Sequence, residues 1–244
     1  MDICAVILAA GKGRRMKCDS AKCAYPFLGK PIITYIIDAL HLSNINDICV
    51  VVGYKKEQIM NILNDSVVYA YQPLINGTAG AVISSKPYWN NKHGIMIIIL
   101  GDMPLIDNNI INQILDEHII NQNDLTIAST ILDDPYGYGR IIHNNGKILI
   151  KEEKDATLKE KQIKEVNSGL FVVNIDVLSD ALNKIDNLNN QHEYYLTDIV
   201  KILSIDKKVS TCLIKDSIKL MGINNLETLK KLEEINWKKI KYRL

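Results

Sequence analysis

Apolar residues near the start of the chain fall in unbroken runs rather than in alternation. "ICAVIL" (Ile3 to Leu8), "DICVVVGY" and "GIMIIILGD" each hold a strand-sized stretch with no polar interruption. Successive side chains of a strand point to opposite faces, so such a run marks a strand covered on both sides. Between the runs the period changes. Ile32, Ile33, Ile36, Ile37 and Leu40 recur at helical spacing behind Pro31, which predicts a helix with one apolar face and proline near its first turn. "KKEQIMNIL" predicts a second helix, "SVVYAYQ" a third strand, and "GTAGAVISS" a helix opening at Gly77 and Thr78. Strand and helix thus alternate up to "GIMIIILGD". This predicts an α/β fold: a doubly wound, Rossmann-like parallel sheet with helices on both faces.

The later pattern is less regular. "NNIINQILDEHII" is helical and "LTIAST" a strand. "DDPYGYGRIIHNNGKILIKEEKDA" has turn residues around two short strands, with "NNG" as a hairpin turn. "EVNSGLFVVNID" carries another strand, "EYYLTDIVKILS" a helix capped by Thr197 or Asp198, "KVSTCLI" a strand, and "LETLKKLEEINWKKI" a terminal amphipathic helix. The expected organisation is one domain over residues 1–225, a mixed sheet whose second half adds a small antiparallel flap, with the helix in 226–244 packed on it.

Composition narrows the function classes. A hydrophobic fraction of 47% over 244 residues is enough for a continuous core. Lys plus Arg total 29 against 28 for Asp plus Glu, so no broad basic surface for nucleic acid or membrane is expected. No apolar run approaches the ~20 residues of a membrane span. The first run has only Met1 and Asp2 before it, which fits a buried strand better than a signal peptide. The five cysteines include no C-x-x-C pair; free thiols in a reducing cytoplasm are expected, neither a disulfide frame nor a zinc site. Cys18 and Cys23 read as incidental.

Charge is instead gathered locally, in "LAAGKGRRMK" directly after the first strand. Glycine-rich loops let backbone amides converge on phosphate oxygens. The P-loop pattern fails, because Met16 stands where its second glycine belongs and no Ser or Thr follows Lys17. The dinucleotide pattern G-x-G-x-x-G fails at Met16 too, and the second strand ends in "YKK" rather than an acid, which disfavours an NAD-binding protein. A-A-G-x-G-x-R-M with a later lysine does fit, as Ala9, Ala10, Gly11, Gly13, Arg15, Met16 and Lys22. That set suits a triphosphate about to be split; the plain alternative is a flexible basic loop.

Further motifs follow in order. "LGDMPL" sets Asp102 at the carboxyl end of a buried strand, where one carboxylate suits Mg²⁺ or simply caps a turn. "YQPLINGTAG" offers Gln72 to a base edge and Gly77–Thr78 as a ligand platform or a helix cap. "GYGRI" permits close backbone approach at Gly139. "EEKDA" brings Glu152, within acids that otherwise read as a solvated stretch. "EVNSG" brings Asn167, and "GINN" brings Asn224.

Together "LAAGKGRRM", "NGTAGAV", "LGDMPL", "DPYGYGRII", "EEKDA", "EVNSGLFV", "QHEYYLTD" and "GINN" resemble the sugar-nucleotidyltransferase superfamily. The likeness is nearest the uridylyltransferase half of bacterial N-acetylglucosamine-1-phosphate uridylyltransferases, and runs from about Ile3 to about Asn225. It implies Mg²⁺-dependent transfer of UMP from UTP to N-acetylglucosamine 1-phosphate. In the implied roles, Arg15 and Lys22 are catalytic and Asp102 with Asn224 holds the metal. Leu8, Ala9, Gly11, Gly13, Gln72, Gly77 and Thr78 face the nucleotide; Gly139, Glu152 and Asn167 face the sugar.

Two departures stand out: Gly80 where the family has histidine, and His192 where it has glycine. His192 reads as an exposed loop residue. No hexapeptide repeats follow, so acetyl transfer and the trimer that such repeats build are not expected; monomer or dimer is. A related transferase with another base or sugar, and a silent nucleotide-sugar-binding subunit, are the alternatives.

Overall fold

The computed structural model describes residues 2–16 and 19–241, of which 236–241 are described as helix backbone. Lys17, Cys18 and residues 242–244 lie outside the described residues. The first half runs β1 (Ile3–Leu8), a ribbon of β2 (Pro26–Phe27) and β3 (Lys30–Pro31), α1 (Ile32–Leu42), β4 (Ile48–Val52), α2 (Lys56–Leu63), β5 (Val68–Tyr71), α3 (Thr78–Ser84), α4 (Lys86–Trp89) and β6 (Ile95–Leu100). The second half runs α5 (Asn108–Ile120), β7 (Leu125–Ile131), β8 (Arg140–Asn144), β9 (Lys147–Lys151), β10 (Glu165–Asn174), α6 (Ile175–Leu182), α7 (Asp198–Leu203), β11 (Val209–Leu213) and α8 (Leu226–Lys241).

Nine strands form one mixed sheet, ordered β11-β7-β10-β6-β1-β4-β5, with β8 and β9 attached beside β10. The unbroken apolar runs are its centre, and their residues divide between two cores. Ala5, Ile7, Ile97 and Ile99 share one with α1, α2 and α5. Cys4, Val6, Met96 and Ile98 share the other with α3, α6 and α7. This is the two-faced burial the runs predict.

β1 pairs in parallel with β4 on one side and β6 on the other. The chain leaves β1 outward through β4 to β5, then returns to lay β6 against the opposite edge. The reversal opens a crevice between the carboxyl ends of β1 and β6, where ligands bind in open α/β sheets.

Two expectations need correction. The antiparallel part is not confined to a flap: β10 runs antiparallel between β6 and β7 in the body of the sheet. An apolar run reports burial on both faces but not direction. The helix expected over "EYYLTDIVKILS", capped by Thr197 or Asp198, begins at Asp198 with Thr197 in the cap position. Before it, the Tyr194 backbone is tied down, its N–H to Asn76 O (2.8 Å) and its carbonyl to Ala79 N–H (2.9 Å). Thr197 is not a cap by its side chain; the hydroxyl donates to Glu152 Oε1 at 2.8 Å.

The hairpin at "NNG" is present between β8 and β9, with positive φ at Asn145 and Gly146, as a tight two-residue turn requires. A third, smaller core of Met16, Phe27, Ile32, Ile223, Leu229 and Leu232 seats α8 on the β2–β3 ribbon and the start of α1. The described cysteines, Cys4, Cys23, Cys49 and Cys212, are buried free thiols. Among the described residues no helix is long and apolar enough to cross a membrane.

Candidate active site

The crevice is built from the loops that leave β1 and β6. Ala9 N–H bonds to Val51 O and Gly101 N–H to Leu8 O, both at 2.9 Å, so both loops start from fixed strand ends. Gly13 then turns the chain at φ +56°; a side chain there would also press within 2.7 Å of Lys22 Cβ. Glycine at this point lets Lys22 lie across the loop. Gln58 Oε1 accepts from Ala21 N–H (2.7 Å) and Ser20 Oγ (3.1 Å), which pins the residues just before Lys22.

Lys22 Nζ is ion-paired with Asp102 and donates to Asn224 Oδ1 at 2.9 Å. Arg15 Nη2 donates to the same amide oxygen at 2.9 Å. The side chains of Lys22 and Asp102 are only 15% and 12% exposed, so water screens the pair weakly. Ile223 N–H bonds back to Asp102 O at 2.8 Å, tying the segment before α8 to the end of β6.

Asp102 Oδ1 is sealed from water and has no hydrogen-bond partner. A buried carboxylate oxygen without a partner is costly unless something binds it. With Asn224 Oδ1 beside it the donors are hard oxygens, a set that fits Mg²⁺ completed by phosphate and water. Among the described residues no three His, Cys, Asp or Glu side chains gather as a ready metal cage.

Two cavities meet at this point. One, of about 290 Å³, is lined by Leu8, Ala9, Gly11, Lys22, Gln72 and Gly77. Its neighbour, of about 210 Å³, is lined by Arg15, Gly139, Glu152, Asn167 and Asn224. Thr78 and Asp102 border both. Gly13 lies in the broader mouth outside them, with Arg15. The fold therefore brings every sequence-predicted site residue to one continuous cleft, with Asp102 at the junction.

On the second side, Asn167 N–H bonds to Gly139 O at 2.9 Å, which joins β10 to the start of β8. Burial raises the pKa of Glu152, partly offset by the Thr197 hydroxyl, while Asp198, Asp155 and Glu193 add to the rise. A carboxyl so placed keeps its proton to higher pH and can donate to or accept from a ligand hydroxyl. His192 is exposed and takes positive φ.

Some supporting residues were missed. Arg140 is 2% exposed and paired with Glu153 at 2.8 Å. It also donates to the carbonyl of Tyr138, and Glu153 accepts from Gly137 N–H at 3.2 Å. The pair anchors the loop that presents Gly139. Gln58 and Thr197 act similarly behind Lys22 and Glu152. Arg140, Glu153 and Thr197 stand within the quoted motifs without a pattern that marks them as supports, and Gln58 lies in none of the site motifs.

The family model described as nucleotidyl transferase matches residues 4–238. The chain belongs to the nucleotidyl transferase family. Curated relatives include the bifunctional protein GlmU of Acholeplasma laidlawii, 40% identical over 94% of this chain and 50% of that protein. The bifunctional protein GlmU of Acetivibrio thermocellus is 39% identical over 91% of this chain and 49% of its own length. That of Thermoanaerobacter pseudethanolicus is 40% identical over 98% and 52%. This nucleotidyltransferase chain thus spans about half the length of the curated relatives it matches. Among solved structures, one described as a glucose-1-phosphate thymidylyltransferase from Bacillus anthracis, in complex with sucrose, superposes with a TM-score of 0.79. It covers 96% of this chain and 95% of the other at 21% identity, and so supports the shared fold.

Proposed function

We propose that this nucleotidyltransferase transfers UMP from UTP to N-acetylglucosamine 1-phosphate, giving UDP-N-acetylglucosamine and pyrophosphate. The observation that carries this reading is the meeting of Lys22, Arg15, Asp102 and Asn224 where the two cavities join. One cavity takes the nucleoside, the other the sugar, and the reacting phosphates lie between. The choice of uridine and of N-acetylglucosamine rests on the motifs that resemble the uridylyltransferase branch.

In the reaction, a phosphate oxygen of the sugar phosphate bonds to the α-phosphorus of UTP as the bond to the β-phosphate oxygen breaks. The nucleophile is already an anion, so no strong general base is needed. The chain's task is alignment and charge neutralisation. Lys22 leaves Asp102 to meet the triphosphate, and Arg15 beside it balances charge on the leaving pyrophosphate. Gln72 reads the base, while Glu152 and Asn167 orient the sugar. The oxygens of Asp102 and Asn224 would hold Mg²⁺, which would supply positive charge to the reacting phosphates.

The test is pyrophosphate release from UTP, dTTP, CTP and GTP, each paired with N-acetylglucosamine, glucosamine and glucose 1-phosphates, with the product weighed by mass spectrometry. The reading expects the highest kcat/KM with UTP and N-acetylglucosamine 1-phosphate. A clear preference for another base or sugar would replace the named substrates, and no release with any pair would contradict transfer itself.

A further inference from the structure

Gln72 is 3% exposed, and its amide nitrogen is bonded to the chain. Nε2 donates to Asn76 Oδ1 at 3.1 Å and to the Gly77 carbonyl at 3.2 Å. The Gly77 carbonyl can only accept, so it fixes which way the Gln72 amide is turned. The oxygen Oε1 has no bond to the chain among the described residues and is not one of the sealed, unpartnered atoms. It is left to the cavity that Gln72 lines.

Asn76 reaches this position through a gap in α3. A Cβ added at Gly80 would be driven into Asn76 Oδ1 and would approach Gln72 Nε2 to 3.1 Å. Glycine inside a helix costs about 1 kcal/mol relative to alanine. Here its missing side chain makes room for the Asn76 carboxamide. Asn76 itself is held by its backbone, whose carbonyl accepts from Tyr194 N–H at 2.8 Å.

We propose that Asn76, accommodated by Gly80, is a positioning residue for base selection: it holds the nitrogen of Gln72 so that the oxygen faces the base as a fixed acceptor. The proposal rests on reading this cavity as the base pocket. A fixed acceptor suits a pyrimidine that carries N–H at ring position 3, as uracil and thymine do. Cytosine presents a lone pair there, and two acceptors repel. Without Asn76 one bond to Gly77 remains, and the amide can turn to offer its nitrogen to cytosine.

The experiment measures binding of UTP and of CTP by calorimetry, with Mg²⁺ and no sugar phosphate. Wild type should favour UTP by about tenfold or more, the scale of one buried hydrogen bond gained against one lost. Asn76→Ala and Gly80→Ala should each shrink that ratio to about threefold or less. The double variant should go no further, because both changes remove the same contact. Asn76→Asp, which keeps an oxygen acceptor, should preserve the ratio. A wild type without the preference, or variants that lose affinity for both nucleotides with the ratio intact, would overturn the proposal. Pyrophosphate release is a separate readout. A wild type with the binding preference but no release would contradict the transfer reading alone; release from UTP with variant ratios unchanged would sink the Asn76 role alone.

Discussion

Lys22 Nζ donates to Asn224 Oδ1 at 2.9 Å across 202 positions of sequence. The bond closes the mouth of the β1–β6 crevice with a residue from just before α8. Arg15 shares the same acceptor, so two cations converge on one neutral oxygen beside the Asp102 carboxylate. A single amide cannot balance two cations. The Asp102 carboxylate offsets Lys22, so one positive charge of the pair is left for a polyanion.

Asp102→Asn should raise the Mg²⁺ concentration for half-maximal turnover by roughly tenfold or more, since a neutral amide is a far weaker ligand for a hard cation. The fold should survive, because the Asp102 carbonyl, not the carboxylate, bonds Ile223. An Mg²⁺ titration of pyrophosphate release at saturating substrates checks this; an unchanged midpoint would count against metal binding at Asp102.

Arg140→Met should destabilise the protein by about 3–5 kcal/mol, the usual cost of stranding one partner of a buried ion pair. Glu153, 13% exposed, would be left with Lys161 at 3.5 Å and Gly137 N–H at 3.2 Å as partners. Adding Glu153→Leu should recover part of the loss. Urea melts of the single and double variants test it, and equal stability of Arg140→Met and wild type would refute the anchoring role.

His118 predicts a pH dependence. It is 2% exposed, between Thr126 Oγ1 (3.0 Å) and Asn174 Oδ1 (3.1 Å). Burial lowers its pKa below the ordinary 6.5, so the fold holds it neutral. Its contribution is complete above pH 6.5 and is lost as pH falls, because the unfolded chain takes up a proton that the native one refuses. The slope from this group is at most about 1.4 kcal/mol per pH unit. His118→Gln should flatten the stability profile between pH 6.5 and 5 relative to wild type; parallel profiles would remove His118 as the cause.

How far the sequence could be read varies by element. β1, β4 and β6 were legible because each is one apolar run between polar ends, and that pattern has few other uses. The direction of β10 was not, since "LFVV" is buried alike whichever way it runs. "TD" reads as a helix cap and Thr197 does hold that position, but its hydroxyl goes to Glu152, a partner 45 residues away that no local pattern shows. Arg15, Lys22, Asp102 and Asn224 could be singled out from motifs, but the contacts that link them through Lys22 and the Asn224 oxygen are a product of the fold. Arg140 and Glu153 looked like ordinary charges; only burial shows that they anchor the cleft. The space that Asn76 finds at Gly80 is a matter of packing that no spacing rule expresses.

The central claim is that the ends of β1 and β6 clasp one polyphosphate for nucleotidyl transfer. The most direct measurement is the rate of pyrophosphate release from UTP, N-acetylglucosamine 1-phosphate and Mg²⁺ by wild type and by Lys22→Ala of matched melting temperature. The account predicts release by wild type and a fall of roughly 10²–10³-fold in the variant, the scale of losing one preorganised donor to developing charge. Near wild-type turnover by Lys22→Ala would contradict it.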